Sequence, residues 1–312
     1  MFRRTPFAWA APVLVWAALA SGSVAETGDG ADAVERGRYV FQAAGCFGCH
    51  TDVKGKGPAL AGGRALVTPY GTFYGPNVTP DPVHGIGGWT LDDFKRALRT
   101  GVAADGRSYY PAFPYTSFTG MTDADIADLW AYLRTVAPVA RADDAHELKV
   151  PYGWRWLNGV WKVLYFTSAP FASGDAPDGV EDRESWRRGA YLVTVLGHCG
   201  ECHSPRGALG AMRRDYLLGG NPAGPDGKPV PNITPHPKRG IGAWSPGDIA
   251  TYLKIGMDPD GDFAGGAMAE VIEHTTGRLT DEDRAAIVVY LRALAPVDRA
   301  PSRAQPQDRG QG

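Results

Sequence analysis

Cysteine, methionine and net charge are all scarce in this sequence. Its 312 residues include four cysteines and five methionines, and the formal charge at pH 7 is only −2. A near-neutral chain has no basic footprint for phosphate backbones, so no nucleic-acid partner is expected. The N-terminal apolar run, Phe7 to Ala20, is shorter than the ~20 residues of a membrane-spanning helix. No βαβ pattern accompanies the cysteines, which removes the setting of a thioredoxin-like redox pair. No distal His/Arg arrangement suited to peroxide chemistry stands out, and no signalling domain is visible. All four cysteines fall in two copies of one pattern, so none remains for a disulfide.

The two copies are Cys46-Phe47-Gly48-Cys49-His50 and Cys199-Gly200-Glu201-Cys202-His203. Cys-x-x-Cys-His reads as c-type haem attachment. Cys46 and Cys49, and again Cys199 and Cys202, form thioethers to the haem vinyl groups. The histidine directly after each pair, His50 or His203, reaches the iron. A structural zinc site would instead gather four ligands at characteristic spacings, whereas these pairs are far apart and each carries its own histidine. Two covalently bound haems are therefore expected, with electron transfer as their work.

The N-terminus reads as a targeting segment. Arg3 and Arg4 precede the apolar run, and Ser23-Val24-Ala25 is a small-residue cleavage site. A signal peptide over 1–25, cleaved after Ala25, and export to the periplasm are expected.

The remainder is an internal duplication. Arg36-Gly37-Arg38-Tyr39 matches Arg188-Gly189-Ala190-Tyr191. Asn77-Val78-Thr79-Pro80 matches Asn232-Ile233-Thr234-Pro235. Tyr132-Leu133-Arg134 matches Tyr290-Leu291-Arg292. Thr90 and Ser245, with Asp93 and Asp248 three residues on, read as helix N-caps, and Pro246 suits a first helical position. Thr122 and Thr280 read as caps of a final helix in each half. The expectation is an all-α fold: two tandem cytochrome c-like haem domains, 31–139 and 184–297, joined by a connector, 140–183. A polar tail, 298–312, is expected to be disordered. The connector is rich in aromatics, with Trp154, Trp156, Trp161, Tyr165, Phe166 and Phe171. It reads as a helix packed across the domain interface, or as a docking face for a partner or a membrane surface.

A distal ligand is needed for each iron. Met268, in Gly265-Gly266-Ala267-Met268, suits the C-terminal haem, and His/Met ligation raises the reduction potential. In the N-terminal half Phe113 stands opposite Met268, and phenylalanine cannot ligate. Met121 is the one methionine of that domain. It reads either as a distal ligand or as a hydrophobic residue stapling the next helix. His84, or an iron without an ordinary sixth ligand, are the other readings. His146, His236 and His274 read as surface residues. His198 precedes Cys199 and reads as a tuner of the haem or as a spacer. The Asn-x-Thr triplets at Asn77 and Asn232 match a glycosylation sequon, but their duplication points to a structural job: bonding a propionate or bracing the loop.

On the haem motifs, the Asn-x-Thr-Pro loops and Met268, the chain resembles di-haem cytochromes c related to the cytochrome subunits of bacterial alcohol and gluconate dehydrogenases. In that family Tyr110-Pro111-Ala112-Phe113-Pro114-Tyr115 corresponds to a segment with methionine where Phe113 stands, and the subunits carry a third haem domain. The resemblance implies an electron carrier. Its donor would be a periplasmic or membrane-associated dehydrogenase, and its acceptor a cytochrome, a quinone or an oxidase. The competing reading is a di-haem redox enzyme, of peroxidase or thiosulfate-oxidising type, using an unusually ligated N-terminal haem.

Overall fold

The computed structural model describes Met1 and residues 27–298. The expected leader and the expected tail lie outside the described residues, apart from Met1 and Asp298. Among the described residues no helix is long and apolar enough to cross a membrane.

Each half is built in the same order. Helix α1 (Thr27–Ala43) runs into the short α2 (Cys46–His50), which is the first haem motif. A long loop follows, then α3 (Leu91–Thr100), α4 (Tyr115–Phe118) and α5 (Asp123–Leu133). The connector contributes α6 (Leu157–Tyr165). In the second half α7 (Arg183–Tyr191) passes through a π-turn at Leu192–Leu196 into α8 (Gly200–His203), the second haem motif. Helices α9 (Pro246–Ile255), α10 (Gly266–His274) and α11 (Asp281–Arg292) complete it.

Local chemistry explains the helix starts. Thr90 and Ser245 each open a helix with a reciprocal capping box, through Asp93 and Asp248. Thr122 and Thr280 cap α5 and α11 by accepting from the amides of Asp125 and Asp283. Each cap stabilises its helix by about 1 kcal/mol.

Helices α1 and α5 cross at contact distance, and so do α7 and α11. A Cβ on Gly37 would stand 1.8 Å from the carbonyl oxygen of Asp128, and one on Gly189 2.0 Å from that of Ala286. Only glycine permits these crossings, which explains why it recurs in both copies of the Arg-Gly-x-Tyr mark.

The all-α expectation needs correction. Strands β1 (Ala65–Thr68) and β2 (Gly71–Tyr74) form an antiparallel hairpin, and β3 (Glu147–Leu148) from the connector pairs with β2. Val67, Thr68, Thr72, Phe73 and Tyr74 are residue types that favour a pleated, half-buried surface. Phe73 turns inward onto Tyr110 and His146, with ring centroids at 5.5 and 5.4 Å. The fold is mostly helical with this one small sheet.

The buried apolar residues of both halves form one contiguous cluster, from Val40 and Leu98 through Phe118 and Met121 to Tyr191, Leu196 and Leu291. The connector helix touches both halves. Lys162 Nζ donates to the carbonyls of Thr100 and Gly101 at 2.8 and 2.7 Å. Trp161 Nε1 donates to the carbonyl of Leu209, beyond the second haem motif, at 2.9 Å.

Candidate haem sites

The two motif histidines are held identically. Nδ1 of His50 donates to the carbonyl of Pro76, and Nδ1 of His203 to that of Pro231, each at 2.8 Å. Burial pushes both imidazole pKa values down, against the opposing pull of the carbonyl bond. A neutral ring with its proton fixed on Nδ1 leaves Nε2 to a metal, and the carbonyl bond fixes its orientation and raises its basicity.

The proline carbonyls are placed by loops that the sequence repeats. Gly75 lets the first loop press on α2, since a Cβ there would lie 1.8 Å from the carbonyl oxygen of Cys49. Asn77 Nδ2 donates to the carbonyls of Val139 and Arg141, at 2.8 and 3.0 Å. Its Oδ1 accepts from the amide and hydroxyl of Thr79. Thr79 Oγ1 in turn accepts from the amide of Val139 at 3.1 Å. Asn232 and Thr234 repeat this around Val297, at 2.7 and 3.0 Å. Both amide hydrogens of Asn77 are thereby used, and Asn77 and Thr79 are buried. The Asn-x-Thr pair is a brace from the proximal loop to the chain leaving the last helix. Asn77 has no amide hydrogen left for a propionate, and burial leaves neither asparagine an accessible glycosylation site.

Two further anchors escaped the sequence reading. Thr51 and Ser204 directly follow the motif histidines and are buried. Their hydroxyls accept from the amides of Leu60 and Leu218, at 3.0 and 2.9 Å. The signal available was the shared hydroxyl at the same offset in both motifs.

The thiols fit covalent attachment. Burial drives all four pKa values up, Cys46 and Cys199 to about 12 and Cys202 to about 11. Among the described residues no cluster of three or more His, Cys, Asp or Glu side chains could hold a bare metal ion. Two thiols and one oriented imidazole per site match a c-type haem.

Each motif touches the opposite half across the seam. Arg64 pairs with Glu270 of α10 at 2.8 Å, and its Nη1 is a buried donor without a partner. Phe47, inside the first motif, packs on His274 with ring centroids at 4.4 Å. From the other side Thr116 donates to Glu201, inside the second motif, at 3.2 Å. His198 takes φ of +35°, where its counterpart Gly45 has +62°, and its ring meets Phe118 at 5.4 Å. Burial lowers its pKa.

The candidate distal residues lie as follows. Met121 is 1% exposed and sits in the shared core. Met268 is partly buried on α10, the helix that also brings Glu270 and His274 to the first motif. Phe113 is part of an aromatic cluster, 5.3 Å from Tyr109 and 5.9 Å from Phe118. His84 stands beside Asp81, at 3.3 Å, in the loop after the first brace. Met212, which the sequence reading passed over, lies against the second motif, its sulfur 3.2 Å from where a Gly200 Cβ would be. Of the histidines read as surface residues, His146 is exposed overall, though its ring edges onto Phe73 and Tyr110. His274 instead lies on the interface, and His236 is largely covered, bonding Asp298 at 3.0 Å. In both cases partners distant in sequence supply the cover.

Comparison with known proteins agrees with this geometry. The cytochrome c family matches residues 34–137 and 187–295. A "Diheme cytochrome c-type" protein of Cereibacter sphaeroides is 45% identical over 84% of this chain and 86% of its own length. The fructose dehydrogenase cytochrome subunit of Gluconobacter japonicus is 41% identical over 84% of this chain. The gluconate 2-dehydrogenase cytochrome c subunit of Pantoea cypripedii is 39% identical over 85%. The match spans only 52% and 60% of those two subunits. The chain belongs to the cytochrome c family, as an electron-transfer cytochrome carrying two c-type haems.

Proposed function

We propose that the protein is an exported, periplasmic electron carrier that accepts electrons from a dehydrogenase and passes them to a respiratory acceptor, either a cytochrome, a quinone or an oxidase. The observation that carries this reading is the juxtaposition of the two motifs on one core, each touching the other half: Phe47 on His274 at 4.4 Å and Glu201 accepting from Thr116 at 3.2 Å. Haem supplies reversible one-electron chemistry, and the protein tunes it through axial ligands, hydrogen bonds and burial.

The chain's own residues do the rest. His50 and His203, oriented by the Pro76 and Pro231 carbonyls, would hold the haem irons through Nε2. Met268 would hold the iron from the distal side in the C-terminal half, and Met121 is the candidate in the N-terminal half. Phe113 cannot ligate and fills an aromatic cluster instead. Arg64 and Glu270, paired at 2.8 Å, set a fixed dipole beside the first motif.

The dehydrogenase docks on the connector. Helix α6 turns Trp156, Val160, Val163 and Leu164 outward, a stripe at helical spacing, with Val163 86% exposed. The two cations of this stretch, Arg155 before the helix and Lys162 within it, are turned inward, Arg155 onto the Ser108 carbonyl and Tyr110 ring and Lys162 onto Thr100 and Gly101. An uncharged, Trp-bearing stripe suits the centre of a protein interface. An anionic lipid surface would favour free cations on this face.

Absorption and EPR spectra of the oxidised protein test the assignment, with Met121→Ala and Met268→Ala as variants. Two low-spin haems are expected in the wild type, with one lost in each variant. A high-spin haem in the wild type, or rapid peroxide turnover, would favour the redox-enzyme reading. For the docking face, Val163→Asp/Leu164→Asp should slow reduction by the catalytic subunits of gluconate or fructose dehydrogenase. Unchanged reduction together with lost binding to lipid vesicles would assign the stripe to the membrane surface.

A further inference from the structure

The two halves share a groove, and the connector fills it in the first half alone. There α3 ends at Gly101, Val102 bridges Ser108, and the amide of Tyr109 donates to the Gly101 carbonyl at 2.8 Å. In the second half α9 ends at Gly256, Met257 bridges Phe263, and the amide of Ala264 donates to the Gly256 carbonyl at 2.9 Å. The two backbones are therefore equivalent position by position.

In the first groove Lys162 Nζ donates to the Thr100 and Gly101 carbonyls, a cation on a helix C-terminus. It also lies over the Tyr115 ring at 4.9 Å. Phe166 meets the same ring edge-on at 4.9 Å, and Ser168 donates to the Arg99 carbonyl at 3.1 Å. Among the described residues nothing takes these places in the second half. A recess of about 440 Å³ is left there, with Ile255, Gly256, Ala264 and Ile272 in its lining. Ile255 is 52% exposed and Phe263 69%.

The loops beside the two grooves also differ in charge. The amide of Ala103 donates to the Arg107 carbonyl, and that of Asp258 to the Asp262 carbonyl, each at 2.9 Å. Ala103, Asp105 and Arg107 thus correspond to Asp258, Asp260 and Asp262. Arg107 neutralises Asp105 at 2.5 Å, whereas the second loop carries three carboxylates and no cation. Lys254, which also lines the recess, is paired with Asp281 at 3.0 Å.

We propose that this open groove is the docking site of the electron acceptor, and that the acceptor is a basic protein. It would seat a lysine and an apolar side chain where Lys162 and Phe166 sit in the first half. The proposal deepens the electron-carrier reading and rests on it. Three carboxylates beside an exposed phenylalanine attract a lysine-rimmed protein and repel an anionic lipid surface. One electron passes from a ferrous haem of this protein to the ferric haem of the acceptor, and no bond or proton moves.

The test mixes the reduced di-haem protein, by stopped flow, with an oxidised and strongly basic single-haem cytochrome c. The wild-type second-order rate should fall as ionic strength rises. Asp260→Asn/Asp262→Asn should lower it about tenfold at low salt, the small end of electrostatic steering, and flatten its salt dependence. Phe263→Ser installs the residue of the filled half and should weaken the complex about tenfold while the salt dependence stays steep. Asp92→Asn/Asp105→Asn makes the same change of net charge in the first half and should slow the reaction far less. Equal slowing by the two double variants would overturn the docking site, because net charge alone would explain it. If a dehydrogenase reduces the protein and the Asp260→Asn/Asp262→Asn and Phe263→Ser variants still react at the wild-type rate, the carrier reading stands and the docking site is overturned. Transfer to a soluble quinone but not to the cytochrome would also overturn it, and transfer to neither would sink the carrier reading itself. A wild-type dimer that Phe263→Ser splits in sedimentation would assign the groove to a second copy of the chain and overturn the proposal.

Discussion

Replacing Gly37 by alanine puts a number on how tightly the helix that leads into the first haem motif is seated. The new Cβ would stand 1.8 Å from the Asp128 oxygen, 2.5 Å from its carbonyl carbon and 2.9 Å from Tyr132 Cβ. Two of those atoms are backbone, so no rotamer change relieves the contact and α1 must move off α5. That motion strains the Arg36–Asp128 pair at 2.7 Å and the Phe41–Tyr132 ring contact at 5.1 Å. Alanine gains about 1 kcal/mol of helix propensity. Overpacking typically costs about 1–3 kcal/mol, and a backbone clash belongs at or above the upper end. The expected net loss is about 2 kcal/mol, or about 3–4 °C in Tm for a chain of this size. Gly189→Ala should behave alike, its Cβ lying 2.0 Å from the Ala286 oxygen. Gly159→Ala, in α6, meets nothing within 4 Å and should be neutral or stabilising by up to about 1 kcal/mol. Thermal unfolding followed at the Soret band and by circular dichroism measures all three. Wild-type Tm for Gly37→Ala would refute the close crossing as the seat of the haem helix.

Other consequences can be measured on the same protein. Glu270→Gln leaves Arg64, whose side chain is 13% exposed, without its carboxylate. It should cost about 1–3 kcal/mol, between exposed and buried pairs, and should raise the potential of the N-terminal haem in a redox titration. Asp283 is held below the usual carboxylate range: burial pushes its pKa up, but bonds from Arg188 and Tyr39 outweigh that. A depressed folded-state pKa gives stability that is complete above the unfolded value of about 3.9 and is lost as pH falls through the folded one. Acid scans should therefore show Tm falling below about pH 4, and Asp283→Asn should flatten that fall. Thr79→Val removes the hydroxyl that accepts from Val139 and donates to Asn77. It should cost about 1–3 kcal/mol and loosen the proximal loop, seen as broadened His50 ligand signals by NMR.

Features governed by near neighbours were legible in the sequence. The haem motifs, the four capping threonines and serines and the duplicated marks are short patterns whose physics closes within a few residues. The brace built on Asn77 was visible as a repeated triplet, but its purpose was not, because its partners Val139 and Arg141 lie beyond α5. The sheet was missed for a similar reason: its third strand arrives from the connector to pair with Gly71 and Thr72. The seam was invisible altogether. Arg64 meets Glu270 and Tyr39 meets Thr280 only after both halves have folded and docked. His274 read as a surface residue because nothing near it in sequence announces Phe47.

The central claim is that two haem motifs in one core pass electrons within the molecule. Pulse radiolysis delivering less than one electron per protein tests it most directly. A fast reduction followed by a first-order re-equilibration between the two haems is expected, at a rate independent of protein concentration. A second phase whose rate rises in proportion to protein concentration would mean that electrons move between molecules, and would contradict the claim.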